Sequence, residues 1–161
     1  MGPADVNNIL KVMEAMAELE LAISEFYKTC GEIWQEDKPF WSGLAEAEIC
    51  HVEFIKSMAG RLRKNPGIFE IARPINTVAI NTAINGVKNN VQKLKKGDFD
   101  KKKALFISRD TELSILESKY ADMLKTTDHD FKTLVTEITV QTENHRNLLT
   151  HKIEQAKGTF S

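Results

Sequence analysis

The stretch "GLAEAEICHVEFIKSM", residues 43–58, decides how the chain is read. Leu44, Ile55 and Met58 fall on one helical stripe, and Glu48 and His51 fall on the same stripe one turn apart. A helix facing a protein core fills such a stripe with aliphatic side chains. A carboxylate and an imidazole there need a reason, because an unpaired charge in an apolar interior is costly.

The flanking sequence continues the helical period. Upstream, Ile9, Met13, Met16, Glu20, Ile23, Tyr27, Cys30 and Trp34 follow one another at alternating spacings of three and four. Trp41, Leu44, Glu48, His51, Ile55, Met58 and Leu62 repeat the pattern, and "EDKPF", with Pro39 as a helix start, separates the two runs. So short a connection predicts antiparallel neighbours. "KNPGIFEIARP", residues 64–74, breaks the period with Pro66, Gly67 and Pro74. A third run carries Ile80, Ile84, Val87, Val91 and Leu94 and ends at Gly97. A fourth starts near Asp100 and shows Leu105, Ser108, Glu112, Leu116 and Met123; a fifth, after "TTDHD", shows Leu134, Ile138, His145 and Leu149. No strand-like alternation of useful length appears. The prediction is an all-α fold forming one domain over residues 1–161. Its architecture is an antiparallel four-helix bundle, two hairpins joined by a long helical crossover between the second and third bundle helices.

Composition narrows the function classes. The net charge is −1, which offers nothing to nucleic acid or to an anionic membrane. No apolar run approaches the roughly 20 residues of a membrane span. "MGPADVNN" has neither a basic leader nor an apolar segment, so a cytoplasmic location is expected. The alternating charges of "KKGDFDKKK", residues 95–103, read as a solvated turn rather than a phosphate site. Cys30 and Cys50 form no Cys-x-x-Cys pair, which argues against an iron–sulfur, rubredoxin-type or zinc-ribbon module. In an antiparallel hairpin they would lie about 15 Å apart along the axis, too far for a disulfide. Two reduced, partly buried thiols are expected.

Glu48 and His51 have company. Glu20 interrupts the apolar seam of the first helix, Glu112 that of the fourth run and His145 that of the fifth. Three carboxylates converging in a core raise one another's pKa values. A divalent cation removes that penalty and takes carboxylate oxygen and neutral imidazole nitrogen as ligands. Glu20 precedes His51 by 31 residues and Glu112 precedes His145 by 33, so each half pairs a Glu helix with a His helix.

"ELELAISEFY" (18–27), "LAEAEICH" (44–51) and "ALFISRDTELSILESKY" (104–120) together resemble the rubrerythrin and bacterioferritin group of ferritin-like di-iron carboxylate proteins. The resemblance spans about residues 8–64 and 100–156. It implies a di-metal centre with Glu48 as bridge, Glu20 and His51 on one metal, and Glu112 and His145 on the other. The implied cofactor is iron, two ions or one, with manganese or zinc able to use the same donors. The implied activity is that of a rubrerythrin-like oxidoreductase without the rubredoxin domain, reducing peroxide or dioxygen with electrons from a separate donor protein. Ferritin-like bundles often pair through helix faces, so a homodimer is expected.

The second half departs from the family pattern. Thr142 stands where a second bridging Glu belongs, and Glu143 points to the far side of the helix. Gln141 faces the site better and could offer an amide oxygen. Where the first half has Tyr27, the second has Lys119; Tyr27 itself reads as a core residue with a bonded hydroxyl. Three carboxylates against two divalent ions leave one excess positive charge, which weakens the second ion or admits hydroxide, water or an outside anion. Two alternatives remain at this stage: an iron-sequestering protein without turnover, and a metal-free helical scaffold whose buried groups satisfy one another. His129 reads as an exposed turn residue and His151 as lying near the bundle end. Glu46 and Glu53 read as solvated.

Overall fold

A computed structural model describes residues 1–118 and 122–158. It is all-α but for one small ladder. The helices are α1 (Pro3–Ile33), α2 (Lys38–Lys64), α3 (Thr77–Lys95), α4 (Lys101–Ser118) and α5 (His129–Gly158). Local chemistry sets their ends. Pro3 and Pro39 occupy first turns, where no backbone donor is lost. Asn76 accepts from the Val78 amide, Asp100 from Lys103 and Asp128 from Phe131, so three helix starts satisfy an otherwise orphaned N–H. Gly97, at φ 78°, follows the end of α3 in the left-handed conformation that only glycine adopts without strain.

A single 3-10 turn, Gln35–Asp37, folds α2 back along α1. The hairpin is tight near its turn. A Cβ added to Gly31 would stand 3.2 Å from the Cβ of Trp41. One turn from Glu20, Ser24 donates to the Ala45 carbonyl at 2.8 Å, which ties the two helices just above the level of Glu48. α4 and α5 form the second packed pair, and α5 also packs on α2. Ion pairs give the directions. Lys101 at the start of α4 and Lys152 near the end of α5 both reach Asp37, while Arg61 at the end of α2 reaches Asp128 and Asp130 at the start of α5. α2 and α5 therefore run antiparallel. α3 lies along α1 through Lys88–Glu18 and Lys95–Glu25, returning the chain from the end where α2 stops to the end where α4 begins.

Three expectations need correction. Strand is present: β1 (Phe69–Ile71) pairs antiparallel with β2 (Leu124–Thr126), joining the connection after α2 to the one before α5. Met123, placed by its spacing on the fourth helix, lies beyond α4; it is buried beside β2, and its carbonyl accepts from Ala72. Cys30 is buried as a free thiol, but Cys50 is exposed rather than partly buried, on the outer face of α2. Among the described residues, no helix is long and apolar enough to cross a membrane.

Candidate metal centre

Glu20 reaches the interior from α1, Glu48 and His51 from α2, Glu112 from α4 and His145 from α5. Each sits where helical periodicity would place a core side chain. Glu20 is 5% exposed and His145 6%; the other three are at most 1% exposed. They form two groups, Glu20–Glu48–His51 and Glu48–Glu112–His145, each with its donor atoms within 4.8 Å of one another.

Glu48 belongs to both groups, one oxygen to each. Its Oε2 lies 3.0 Å from Nδ1 of His51, and its Oε1 lies 2.9 Å from Nδ1 of His145. Glu20 Oε2 stands 3.9 Å from His51 Nδ1, and Glu112 Oε1 stands 3.5 Å from His145 Nδ1. The imidazole rings stack at 5.6 Å between centroids. The five side chains thus converge on two points flanking a shared carboxylate.

Their hydrogen bonding is incomplete in a telling way. Among the described residues, five buried side-chain polar atoms lack a partner, and four are here: Glu20 Oε2, Glu48 Oε1, Glu112 Oε2 and His145 Nδ1. Glu48 Oε1 and His145 Nδ1 stay unpaired although 2.9 Å apart, because they are not aligned for a hydrogen bond. Native interiors rarely leave such groups orphaned. Four unpartnered donor atoms gathered around a shared carboxylate suit a cation, and an oxygen and imidazole set suits a divalent first-row metal. These buried groups can hold a metal ion.

Without one, protons take its place. Burial, reinforced by the charge of Glu48, pushes the Glu20 carboxyl up to about 8. Burial alone would lower both histidines, but the carboxylates around them win. Glu20 and Glu48 hold His51 up at about 10, and Glu112 with Glu48 holds His145 up at about 9. A metal must displace these protons.

A second layer orients the first. Tyr27 on α1 donates its hydroxyl to Glu112 Oε1 on α4 at 2.5 Å. Burial and the Glu112 charge keep the phenol protonated well above its usual range. Gln141 on α5 does not turn its amide oxygen toward the centre, as its position implied. That oxygen accepts from Nε2 of His51 at 3.0 Å, and the amide nitrogen reaches Glu137. Thr142 is buried beside Glu20, but its hydroxyl donates to the Ile138 carbonyl of its own helix. Lys119 lies outside the described residues. Glu46, Glu53, Glu143, His129 and His151 are exposed, away from the cluster. The partnerships of Tyr27 and Gln141 cross between halves of the chain and have no local sequence signal.

No family model matches the chain, and neither a curated protein nor a solved structure is similar enough to count as a match.

Proposed function

We propose that the five buried groups hold a pair of iron ions, one per group, in a ferritin-like four-helix bundle, and that this centre reduces peroxide or dioxygen as rubrerythrin-like proteins do. Manganese or zinc fits the same donors. The observation that carries the reading is the placing of the two Glu48 oxygens, each facing a different histidine within 3.0 Å. A carboxylate so placed is poised to bridge.

When bound, a ferrous pair supplies the two electrons that split an O–O bond. The chain's own part is to hold, orient and shield. His51 keeps its outer proton on Nε2, donated to Gln141, which leaves Nδ1 free to act as a ligand. Tyr27 retains its proton on Oη and fixes one oxygen of Glu112, leaving Oε2 available. Burial of all five donors excludes bulk water. No Cys-x-x-Cys pair lies within these 161 residues, so electrons come from a donor protein outside them.

Reduced, iron-loaded protein is expected to consume hydrogen peroxide, and Glu48→Ala to abolish this. Peroxide loss unchanged by the substitution counts decisively against the centre as its seat. A second reading, iron sequestration without turnover, draws on Thr142, which supplies no fourth carboxylate. Tight iron binding with no peroxide or dioxygen consumption would establish it. Thermal stability indifferent to both chelator and metal would instead leave a metal-free scaffold.

A further inference from the structure

A partly open cavity of about 190 Å³ lies between α1, α2, α4 and α5 and reaches the centre at Glu20. Met16, Ile55, Met58, Leu116, Val135 and Ile138 make its walls aliphatic. At the inner end stand Glu20 and Thr142. Glu20 is 5% exposed, and its Oε2 has no hydrogen-bond partner. At the outer end Leu116, Val135, Ile138 and Thr139 are half-buried and Asp122 is exposed, so among the described residues the cavity meets the surface there. The opposite side of the centre is filled instead, by Tyr27 and Trp41 with ring centroids 6.0 Å apart and by Phe26 against Tyr27.

Hydrogen peroxide needs no such space. Close packing normally fills an apolar recess that runs this far toward the core, because each missing contact costs stability. An apolar cavity of about 150 Å³ takes up a benzene-sized molecule, so this one holds roughly six to eight carbon-sized atoms. What fits is an apolar body with one small polar head, the body among the aliphatic walls and the head at the inner end, beside Glu20 and Thr142.

We propose that the cavity is a substrate site for small alkyl hydroperoxides, which enter head-first toward Glu20 and Thr142. This rests on the reading of the centre as peroxide-reducing. The reaction is ROOH + 2 e⁻ + 2 H⁺ → ROH + H₂O: the O–O bond breaks, an O–H bond forms on each fragment, and the electrons are those delivered by the donor protein. The product alcohol has the same body and an equally small head, so it serves as an unreactive probe.

Two measurements test this on the full chain. The first is calorimetric binding of linear alcohols from ethanol to octanol, which needs neither metal nor turnover. Affinity is expected to rise roughly fourfold per added methylene and to level off near six carbons. Thr139→Phe, which places a ring in the cavity, should remove the rise. Val135→Phe is the substitute if the first variant melts early. The second is stopped-flow oxidation of reduced, iron-loaded protein by hydrogen peroxide and by n-pentyl hydroperoxide. The pentyl compound should reach half-maximal rate at a concentration at least tenfold lower, and Thr139→Phe should erase that advantage. If hydrogen peroxide is consumed but pentyl hydroperoxide has no advantage, or if the alcohols show no chain-length dependence, the cavity is not a substrate site. If neither peroxide is consumed, the peroxidase reading itself falls, and the alcohol series separates that failure from the cavity's.

Discussion

His51 and His145 face opposite oxygens of the same glutamate, yet the chain builds their surroundings differently. All three donors around His51 come from one hairpin, with Glu20 on α1 and Glu48 and His51 on α2. The helices of that hairpin are joined by three residues of 3-10 turn and tied by Ser24 to Ala45. The donors around His145 come from three helices, with Glu48 on α2, Glu112 on α4 and His145 on α5. The first group is local and held by Gln141 behind its imidazole. The second borrows its bridge, and Thr142 adds no oxygen to it. The lesson is that a near two-fold plan can be kept in outline while one half becomes self-sufficient and the other dependent on assembly.

Glu48→Ala should break the comparison altogether, because both groups lose their shared member. Elemental analysis of chelator-free protein is expected to give between one and two ions per chain for the parent and essentially none for this variant. Retention of a full equivalent would mean that one half stands without the bridge.

The halves should also differ in their response to pH. With Glu20 up at about 8 and His51 at about 10, a metal at the first group displaces two protons, whereas at the second the displaced proton is that of His145, at about 9. Each displaced proton changes affinity tenfold per pH unit. Affinity below pH 8 should therefore rise about a hundredfold per unit at the first group and about tenfold at the second. The metal-free protein should trend the other way. All three groups have folded pKa values above their unfolded ones, so the Glu20 contribution is fully present below about 4.5 and lost by about 8, and those of His51 and His145 are present below about 6.5 and lost by about 10 and 9. Titrations of metal binding, and melts in chelator at pH 6.5, 8 and 9.5, measure both trends.

Thr142→Glu should narrow the difference by restoring a fourth carboxylate. The weaker site is expected to tighten more than tenfold, with two ions per chain at saturation; an unchanged isotherm would show that position 142 does not reach the centre. Gln141→Leu acts on the other half. Loss of the Nε2 partner should weaken the first site by about tenfold, at the low end for such outer partners, and leave the second alone. Equal weakening of both sites would argue against Gln141 as a positioning residue for His51.

Much of this arrangement was legible in the residues. The 3–4 spacing marked all five helices, and the polar interruptions at Glu20, Glu48, His51, Glu112 and His145 are the side chains that meet. What stayed hidden was short or non-local. "FEI" and "LKT" are each three residues, too few to show alternation, and they become strands only by finding each other across the fold. Met123 kept the helical spacing of its neighbours but belongs to the segment whose carbonyl takes the Ala72 amide just after β1. Gln141 lies one turn from His145 and looks like its neighbour in sequence, but packing hands its amide to His51, 90 residues away. The cavity could not be read at all, since Met16, Met58 and Ile138 are equally good at filling space and at lining it.

Gly31 has a mechanical consequence. The hairpin's two rods press close there, since an added Cβ would stand 3.2 Å from that of Trp41 and push it back by a few tenths of an ångström. Helices are stiff, so widening that gap swings the far ends apart like the leaves of a hinge. The span between the carboxylates of Glu20 and Glu48 is thus gauged by a spacer eleven residues along α1, and a change at position 31 can detune ion capture without altering a single donor atom.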